Sequence, residues 1–255
     1  PPKKGPWPKL DYHIREVVCA GDRKSTEFLL DLLAHKLQNP LSRPGICTVL
    51  KGGQGSGKSI FTKLLRAIFG IHAGSSSRSQ DITGEFTSIL EAKVFMDLAE
   101  ACFAGDQKAQ NALKALITDD EITIRRMHTN PYNMPNYLML MMTTNEKWSV
   151  AKESDDRRYF ILRVSDNKAG DSAYFNDLCR AIGFGARGSV DDHKIIGTDN
   201  EAHFFLHDML TRDVAAFDPA AMPATKGGVE DLAQSLNGIG QWWLSILMDG
   251  DAYPL

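Results

Sequence analysis

The feature that most constrains this chain is a glycine-rich octet at residues 52–59, which lies between a short apolar run and a helical stretch. The octet is Gly52-Gly53-Gln54-Gly55-Ser56-Gly57-Lys58-Ser59 and matches the pattern G-x-x-x-x-G-K-[ST] at every fixed position. Its glycines permit a tight turn that directs successive backbone N–H groups at an anion, and the following helix adds its positive N-terminal end. The sequence therefore predicts a loop that binds a polyphosphate.

The octet also assigns roles to individual side chains. All eight residues, together with Ile60 at the start of the helix, are predicted to contact a nucleotide. Lys58 is predicted to reach the β- and γ-phosphates, and the Ser59 hydroxyl is predicted to bind Mg²⁺. ATP and Mg²⁺ are the cofactors that this pattern implies, but it leaves open what the energy is used for.

Apolar patterning around the octet predicts an α/β fold. Short unalternating apolar runs begin near residues 46, 94, 138 and 160, as is typical of strands buried on both faces of a sheet. Helical stretches separate them, and one helix is expected to begin with Ser25 as its N-cap. Residues 70–80 are small and polar and predict a loop. We therefore expect a three-layer core with a parallel sheet.

The same patterning divides the chain into three segments. Residues 45–166 are predicted to form the core, 1–44 a helical lead-in and 167–255 a helical C-terminal extension. The extension is predicted to contain helices at residues 172–182, 200–217 and 230–248.

Charge and cysteine content exclude some classes of protein. With 29 Lys and Arg against 32 Asp and Glu, the net charge of −3 excludes a broadly basic, histone-like protein, so contact with nucleic acid must come from a local patch. No apolar run is long enough to predict a membrane span. Four scattered cysteines without a CxxC pair predict reduced thiols in a cytoplasmic protein. Because the first residue is Pro rather than Met, we expect a piece of a longer chain.

Polar residues near the ends of other predicted strands complete a candidate hydrolase site. Glu100 is predicted to polarise the attacking water and Asp97 to support the metal directly or through water, so both are candidate Mg²⁺ ligands beside the loop serine. Asn145 follows a third strand and is a candidate to hydrogen-bond the γ-phosphate. Arg157 and Arg158 precede the last strand, where arginines of a ring NTPase can project into the neighbouring subunit's site.

The chain contains, in this order, GGQGSGKS, the strand ending in Glu100, LKALI followed by ITIRRM, LMLMMTTN and DDRRYFIL. In this order these segments resemble the helicase superfamily 3 pattern, and more narrowly the primase–helicase proteins of phages and integrated mobile elements. The resemblance implies an AAA+-like P-loop ATPase fold and a hexameric ring that hydrolyses ATP between subunits to move on DNA. It also implies that Asn145 is the sensor and that Arg157 or Arg158 is a finger acting across subunits.

The resemblance further places a β-hairpin at residues 121–137, projecting into the channel of the ring. Arg125, Arg126 and His128 near its tip are the candidate phosphate contacts, and Tyr132 is a candidate to stack on a base. DNA is therefore the expected partner, alongside further copies of the same chain. A primase domain in the same polypeptide is compatible with this family.

One position departs from the family pattern. The family's second strand usually ends in two adjacent acidic residues, but Ala99 precedes Glu100 here. This departure puts the hydrolysis rate in doubt more than nucleotide binding. Two alternatives therefore stay open: an ATP-dependent switch or assembly factor that moves no DNA, and a P-loop small-molecule kinase whose paired arginines act within one subunit.

Overall fold

The computed structural model describes residues 2–78, 80–84, 86–99, 107–145, 157–185 and 194–229, with residue 246. The strands in these ranges are β1 (Cys47–Lys51), β2 (Ala73–Ser76), β3 (Phe95–Ala99), β4 (Glu121–Ile124), β5 (Tyr132–Pro135), β6 (Met139–Thr144) and β7 (Tyr159–Arg163). The α-helices are α1 (Pro8–Tyr12), α2 (Arg23–Gln38), α3 (Lys58–Phe69), α4 (Gln80–Thr83), α5 (Gln107–Thr118), α6 (Ser172–Ala181) and α7 (Glu201–Thr211). A π-helical segment, His13–Val18, continues α1.

Five of the strands form one parallel sheet in the order β2-β3-β6-β1-β7, and β4 and β5 pair as an antiparallel hairpin. Alternate side chains of the parallel strands enter two separate hydrophobic clusters, as the two-residue period of a strand requires. On β7, for example, Phe160 and Leu162 belong to one cluster, and Tyr159 and Ile161 to the other. The apolar runs lack alternation because both faces of the sheet are covered.

Helices cover both faces. The N-terminal helices, α3, α6 and α7 pack with one sheet face in a single cluster, whereas α5 and the β4–β5 hairpin pack against the other. The prediction of a mixed α/β fold with a parallel sheet and helices is confirmed. Within the described residues, no helix is both long and apolar enough to cross a membrane.

Two local predictions are wrong. Residues 70–80 were expected to form a loop, but β2 lies within them and pairs with β3 at the sheet edge. Backbone pairing with β3 holds this strand although its residues are small. Gly74 lies against Met96, whose sulfur occupies the space that a Cβ on residue 74 would need. The N-cap of α2 is Asp22 rather than Ser25, because the Asp22 carboxylate accepts hydrogen bonds from the first free backbone N–H groups of the helix.

The C-terminal prediction is accurate for one helix and too long for another. Helix α6 agrees with the predicted 172–182 helix within one residue, but α7 ends at Thr211, well before residue 217. The predicted helix at 230–248 lies outside the described residues, apart from residue 246.

A buried lysine fastens the connection between α2 and β1. The Lys36 ammonium donates to the carbonyl oxygens of Pro40, Ser42 and Tyr137, each at 2.6 Å. Burial lowers the pKa of Lys36 to about 8. The contact with Tyr137 joins this connection to the chain just before β6, so it helps to set how β1 and β6 pair.

Candidate functional site

The glycine-rich loop lies at the carboxyl edge of the parallel sheet, between the end of β1 and the start of α3. Gly55 and Gly57 have φ angles of +79° and +97°, in the left-handed region that favours glycine. Strand β1 is flanked by β6 and β7, so the loop occupies the carboxyl end of an inner strand. Open parallel sheets bind their ligands at this edge.

The side chain of Lys58 is folded back into the loop. Its Nζ atom lies 2.5 Å from the Gly52 carbonyl oxygen, 2.7 Å from that of Gly53 and 3.2 Å from the Ser56 hydroxyl. The Ser56 hydroxyl in turn donates to the Gly53 carbonyl at 2.8 Å. The ammonium charge is therefore buried at the centre of the loop, next to the groups predicted to receive an anion.

Asp97 faces helix α3. One of its carboxylate oxygens lies 3.8 Å from an Arg66 guanidinium nitrogen. Burial raises the pKa of Asp97, and both the hydrogen bond with Thr62 and the charge of Arg66 oppose that shift. Since Thr62 follows Ser59 by almost one helical turn, the carboxylate lies along α3 rather than directly over the first residues of the helix.

Asn145 follows β6 at the same edge of the sheet as the loop. The backbone N–H of Gly52 donates to the Thr144 carbonyl at 3.2 Å, so the residue after Thr144 is adjacent to the start of the loop. Asn145 is exposed. Glu100 lies outside the described residues. Among the residues that the structure describes, no group of three or more His, Cys, Asp or Glu side chains is arranged to hold a metal ion.

The backbones of the paired arginines lie at the amino ends of the parallel strands, opposite to the carboxyl ends where the loop is found. The Arg158 carbonyl accepts a hydrogen bond of 2.7 Å from the Cys47 backbone N–H, at the amino end of β1. The loop begins after Lys51, about 13 Å away at the usual rise per strand residue. The backbones of Arg157 and Arg158 are therefore separated from their own loop by the length of β1.

The predicted hairpin is present and exposes several of the candidate DNA contacts. Tyr132 opens its second strand, and His128 in the connection has a φ of +59° and is exposed. Arg126 forms an ion pair with Glu91, and the Tyr132 hydroxyl donates to the same carboxylate at 2.6 Å. These contacts, led by the one with Arg126, lower the pKa of Glu91 to about 2. Arg125 is exposed, and its backbone N–H donates to the Thr87 hydroxyl.

A buried histidine packs against the loop, and no local pattern in the sequence marks it. A Cβ atom on Gly57 would lie 2.6 Å from the His13 ring and 2.8 Å from the Phe175 ring. His13 Nδ1 lies 3.0 Å from the Tyr174 hydroxyl, 161 residues away in the chain. Burial lowers the pKa of His13 to about 4, and the Gly57 backbone opposes this shift. Only the tertiary fold brings these residues to the loop.

A cavity of about 400 Å³ opens beside the loop. One wall consists of residues 54–60 and Lys63, and the other of residues from α6 and the segment that follows it. Cavities of this size are typical of small-molecule sites.

Residues 50–158 match a protein family described as a family of unknown function (DUF5906). The chain is also 28% identical over 149 residues to the DNA primase-polymerase of Nitratiruptor phage NrS-1, a match that covers 57% of this chain and 20% of that protein. The chain thus spans about a fifth of the length of this curated relative.

Two solved apo structures of the NrS-1 C-terminal region have the same fold. One matches with a TM-score of 0.73 over 98% of this chain and 59% of that chain, and the other with 0.74 over 96% and 55%. Both are 20% identical in sequence. The chain therefore shares the fold of the NrS-1 C-terminal region, and this shared fold extends well beyond residues 50–158.

Proposed function

We propose that this chain is the ATPase domain of a phage or mobile-element replication protein, a superfamily 3-like helicase that hydrolyses Mg-ATP between the subunits of a ring to move on DNA. The observation that carries this proposal is the glycine-rich loop at the carboxyl end of β1, with the Lys58 ammonium buried inside it. A buried cation surrounded by loop carbonyls is poised to exchange those contacts for phosphate oxygens.

The remaining groups supply the other parts of such a reaction. Ser59 stands at the start of α3, where its hydroxyl is available to Mg²⁺. Asn145 follows β6 next to the start of the loop and is the proposed group that orients the γ-phosphate or the water, and Glu100 is the proposed group that polarises the water. Asp97 is proposed to hold α3, and with it Ser59, in position through its contacts with Thr62 and Arg66.

The position of the arginines favours action between subunits. Arg157 and Arg158 are at the edge of the sheet opposite to their own loop, so a neighbouring subunit's nucleotide is a better target for them than their own. The same geometry argues against a kinase in which these arginines act within one subunit. Further copies of the chain are therefore the proposed partners.

DNA is the proposed substrate for movement. The relative's name describes a DNA primase-polymerase, and the exposed β4–β5 hairpin carries Arg125, Arg126 and His128 at its end. Arginine side chains there can contact phosphates, and the Tyr132 ring can stack on a base.

ATP hydrolysis with and without single-stranded DNA tests the ATPase part. We expect hydrolysis that DNA stimulates and that Lys58→Ala abolishes, while Lys24→Ala, which removes an exposed lysine of α2 that does not line the cavity beside the loop, leaves the rate unchanged. Hydrolysis that persists in Lys58→Ala would contradict the proposal. Failure of the wild-type protein to unwind a fork while hydrolysing ATP would contradict the helicase part alone.

The salt dependence of DNA binding tests the hairpin. For Arg125→Ala/Arg126→Ala we expect weaker binding to single-stranded DNA and a slope of log K against log salt that is smaller by about 1.4, since each lost phosphate contact removes about 0.7. ATP affinity should not change. An unaltered slope would show that neither arginine contacts phosphate.

An ATP-dependent switch that moves no DNA is the second candidate function. The observation that favours it is the environment of Asp97, which contacts Thr62 and Arg66 instead of completing a pair of adjacent carboxylates at the strand end. This candidate predicts normal ATP affinity with negligible turnover, so the hydrolysis assay distinguishes it from the first.

A further inference from the structure

The cavity beside the loop has two chemically different walls. Residues 54–60 present backbone groups and the positive N-terminal end of α3. The facing wall presents Phe175, Cys179 and Phe184. A site that joins an anion-binding loop to an apolar, aromatic surface suits a ligand with a charged end and a flat apolar end. A nucleoside triphosphate has this form.

The aromatic wall packs against neighbouring rings. The Phe175 ring forms T-shaped contacts with His13 and Tyr174 at centroid distances of 6.3 and 5.1 Å, with interplanar angles of 84° and 70°. A ring atom of Phe175 also lies against Gly57, where an added Cβ would be 2.8 Å from it. Phe184 is buried, and its backbone N–H donates to the Cys179 carbonyl at 2.8 Å. A flat surface is thus fixed next to the phosphate loop before any ligand arrives.

A polar group stands at the rim of this wall. Asn176 lines the same cavity and is exposed. A side-chain amide offers one donor and one acceptor group side by side, which matches the N6 and N7 edge of adenine and not the corresponding edge of guanine.

We propose that the α6 wall of this cavity is the nucleobase subsite of the nucleotide, with Phe175 stacking on the base and Asn176 selecting adenine. This inference rests on the proposed binding of ATP at the loop. Both residues lie outside residues 50–158, so the family match does not include them. Base selection is thereby assigned to the C-terminal extension, and phosphate binding to the core.

Calorimetric titration with two ligands, Mg-ATP and magnesium tripolyphosphate, distinguishes binding by the aromatic wall from binding by the phosphate loop. We expect the wild-type protein to bind ATP more tightly than tripolyphosphate. In Phe175→Ala the ATP affinity should fall about 5- to 150-fold, the range for loss of one base stack, while tripolyphosphate affinity stays the same. Phe175→Leu, which keeps most of the packing against Gly57, should show the same pattern. Phe86→Ala, which removes an exposed aromatic ring elsewhere, should change neither affinity.

Asn176→Ala tests selection of the base on a variant whose fold is not at risk. We expect the preference for ATP over GTP to shrink toward unity. An unchanged preference would overturn the role of Asn176.

The outcomes separate this inference from the proposed function. Equal affinities for ATP and tripolyphosphate, or an equal loss of both in Phe175→Ala and Phe175→Leu, would overturn the base subsite and leave the loop as a phosphate site. Absence of binding by both ligands, or full binding in Lys58→Ala, would overturn the proposed function together with the subsite.

Discussion

The glycine-rich loop and the β4–β5 hairpin are both candidate anion-binding regions, but they are held in place in different ways. In the loop, Lys58 is buried among carbonyl oxygens, and Gly57 lies against the buried ring of His13 and the partly buried ring of Phe175. In the hairpin, Arg126 is held at the surface by Glu91, which it shares with Tyr132. One arrangement depends on close packing and the other on an exposed ion pair.

This difference predicts how each region responds to change. Overpacking or burying a charge in a packed site costs several kcal/mol, whereas exposed ion pairs contribute little and are screened by salt. Changes at the loop should therefore alter stability and binding together. Changes at the hairpin should alter binding while the fold stays intact.

The largest effect is expected for Gly57→Ala. The new methyl group would meet His13 and Phe175 at less than 3 Å, and the residue would have to keep a φ of +97°. We expect a loss of about 3–5 kcal/mol in the free energy of unfolding, from overpacking and backbone strain combined. Urea denaturation measures it.

Gly170→Ala is the matched control for this change. Its φ is +79°, but among the described residues nothing lies within 4 Å of the position of the new Cβ. Only backbone strain remains, at about 1 kcal/mol. Equal losses in the two variants would mean that packing of His13 against the loop has no energetic consequence.

A smaller effect is expected from acid, through His13. Its folded pKa of about 4 lies below the unfolded value of 6.5, so the unfolded chain takes up the proton first as pH falls. This group therefore leaves stability unaffected above pH 6.5, and it removes up to about 3 kcal/mol as pH falls from 6.5 to 4. Unfolding free energies at pH 7.5 and 4.5 should differ less in His13→Gln than in the wild type.

His128→Asn, which changes an exposed histidine of the hairpin, should retain the wild-type pH dependence. Carboxylates that titrate in the same pH range contribute equally to the pH dependence of stability in the wild type, His13→Gln and His128→Asn. If His13→Gln loses as much stability in acid as the other two, the imidazole is not held neutral by the fold.

The smallest effect is expected for Glu91→Gln. The change releases Arg126 from its ion pair and should raise affinity for single-stranded DNA about two- to fivefold at low salt. The melting temperature should not change measurably. Glu121→Gln removes one negative charge from the same hairpin without touching Arg126, and should have less effect. An equal gain in both variants would mean that Glu91 acts only through its charge.

The sequence predicted those parts of the fold that depend on local pattern. Buried strands, the loop glycines and the helix after them follow from residue types over a few positions, and the hairpin followed from a family resemblance. Strand β2 was missed because an edge strand of Ala, Gly and Ser has no apolar pattern and exists only through its pairing with β3. Asp22 was missed as a cap because its neighbour Ser25 is an equally good residue for that position.

The sequence predicted the candidate site only where its residues are contiguous in the chain. Lys58 and Ser59 follow from the octet, but His13 reaches the loop, and Phe175 and Asn176 reach the cavity, from distant parts of the chain. No spacing rule connects residues so far apart. Their roles depend on how α6 and the π-helical segment pack beside the loop, which is a property of the tertiary fold.

The central claim is that ATP bound at the loop of one subunit is hydrolysed with the help of an arginine from the next. Mixing two inactive variants, Lys58→Ala and Arg157→Ala/Arg158→Ala, tests it most directly. In a random one-to-one mixture, about a quarter of the interfaces join an intact loop to intact arginines, so ATPase activity should return to about a quarter of the wild-type rate. A mixture as inactive as either variant alone, beside an active wild-type protein, would contradict the account.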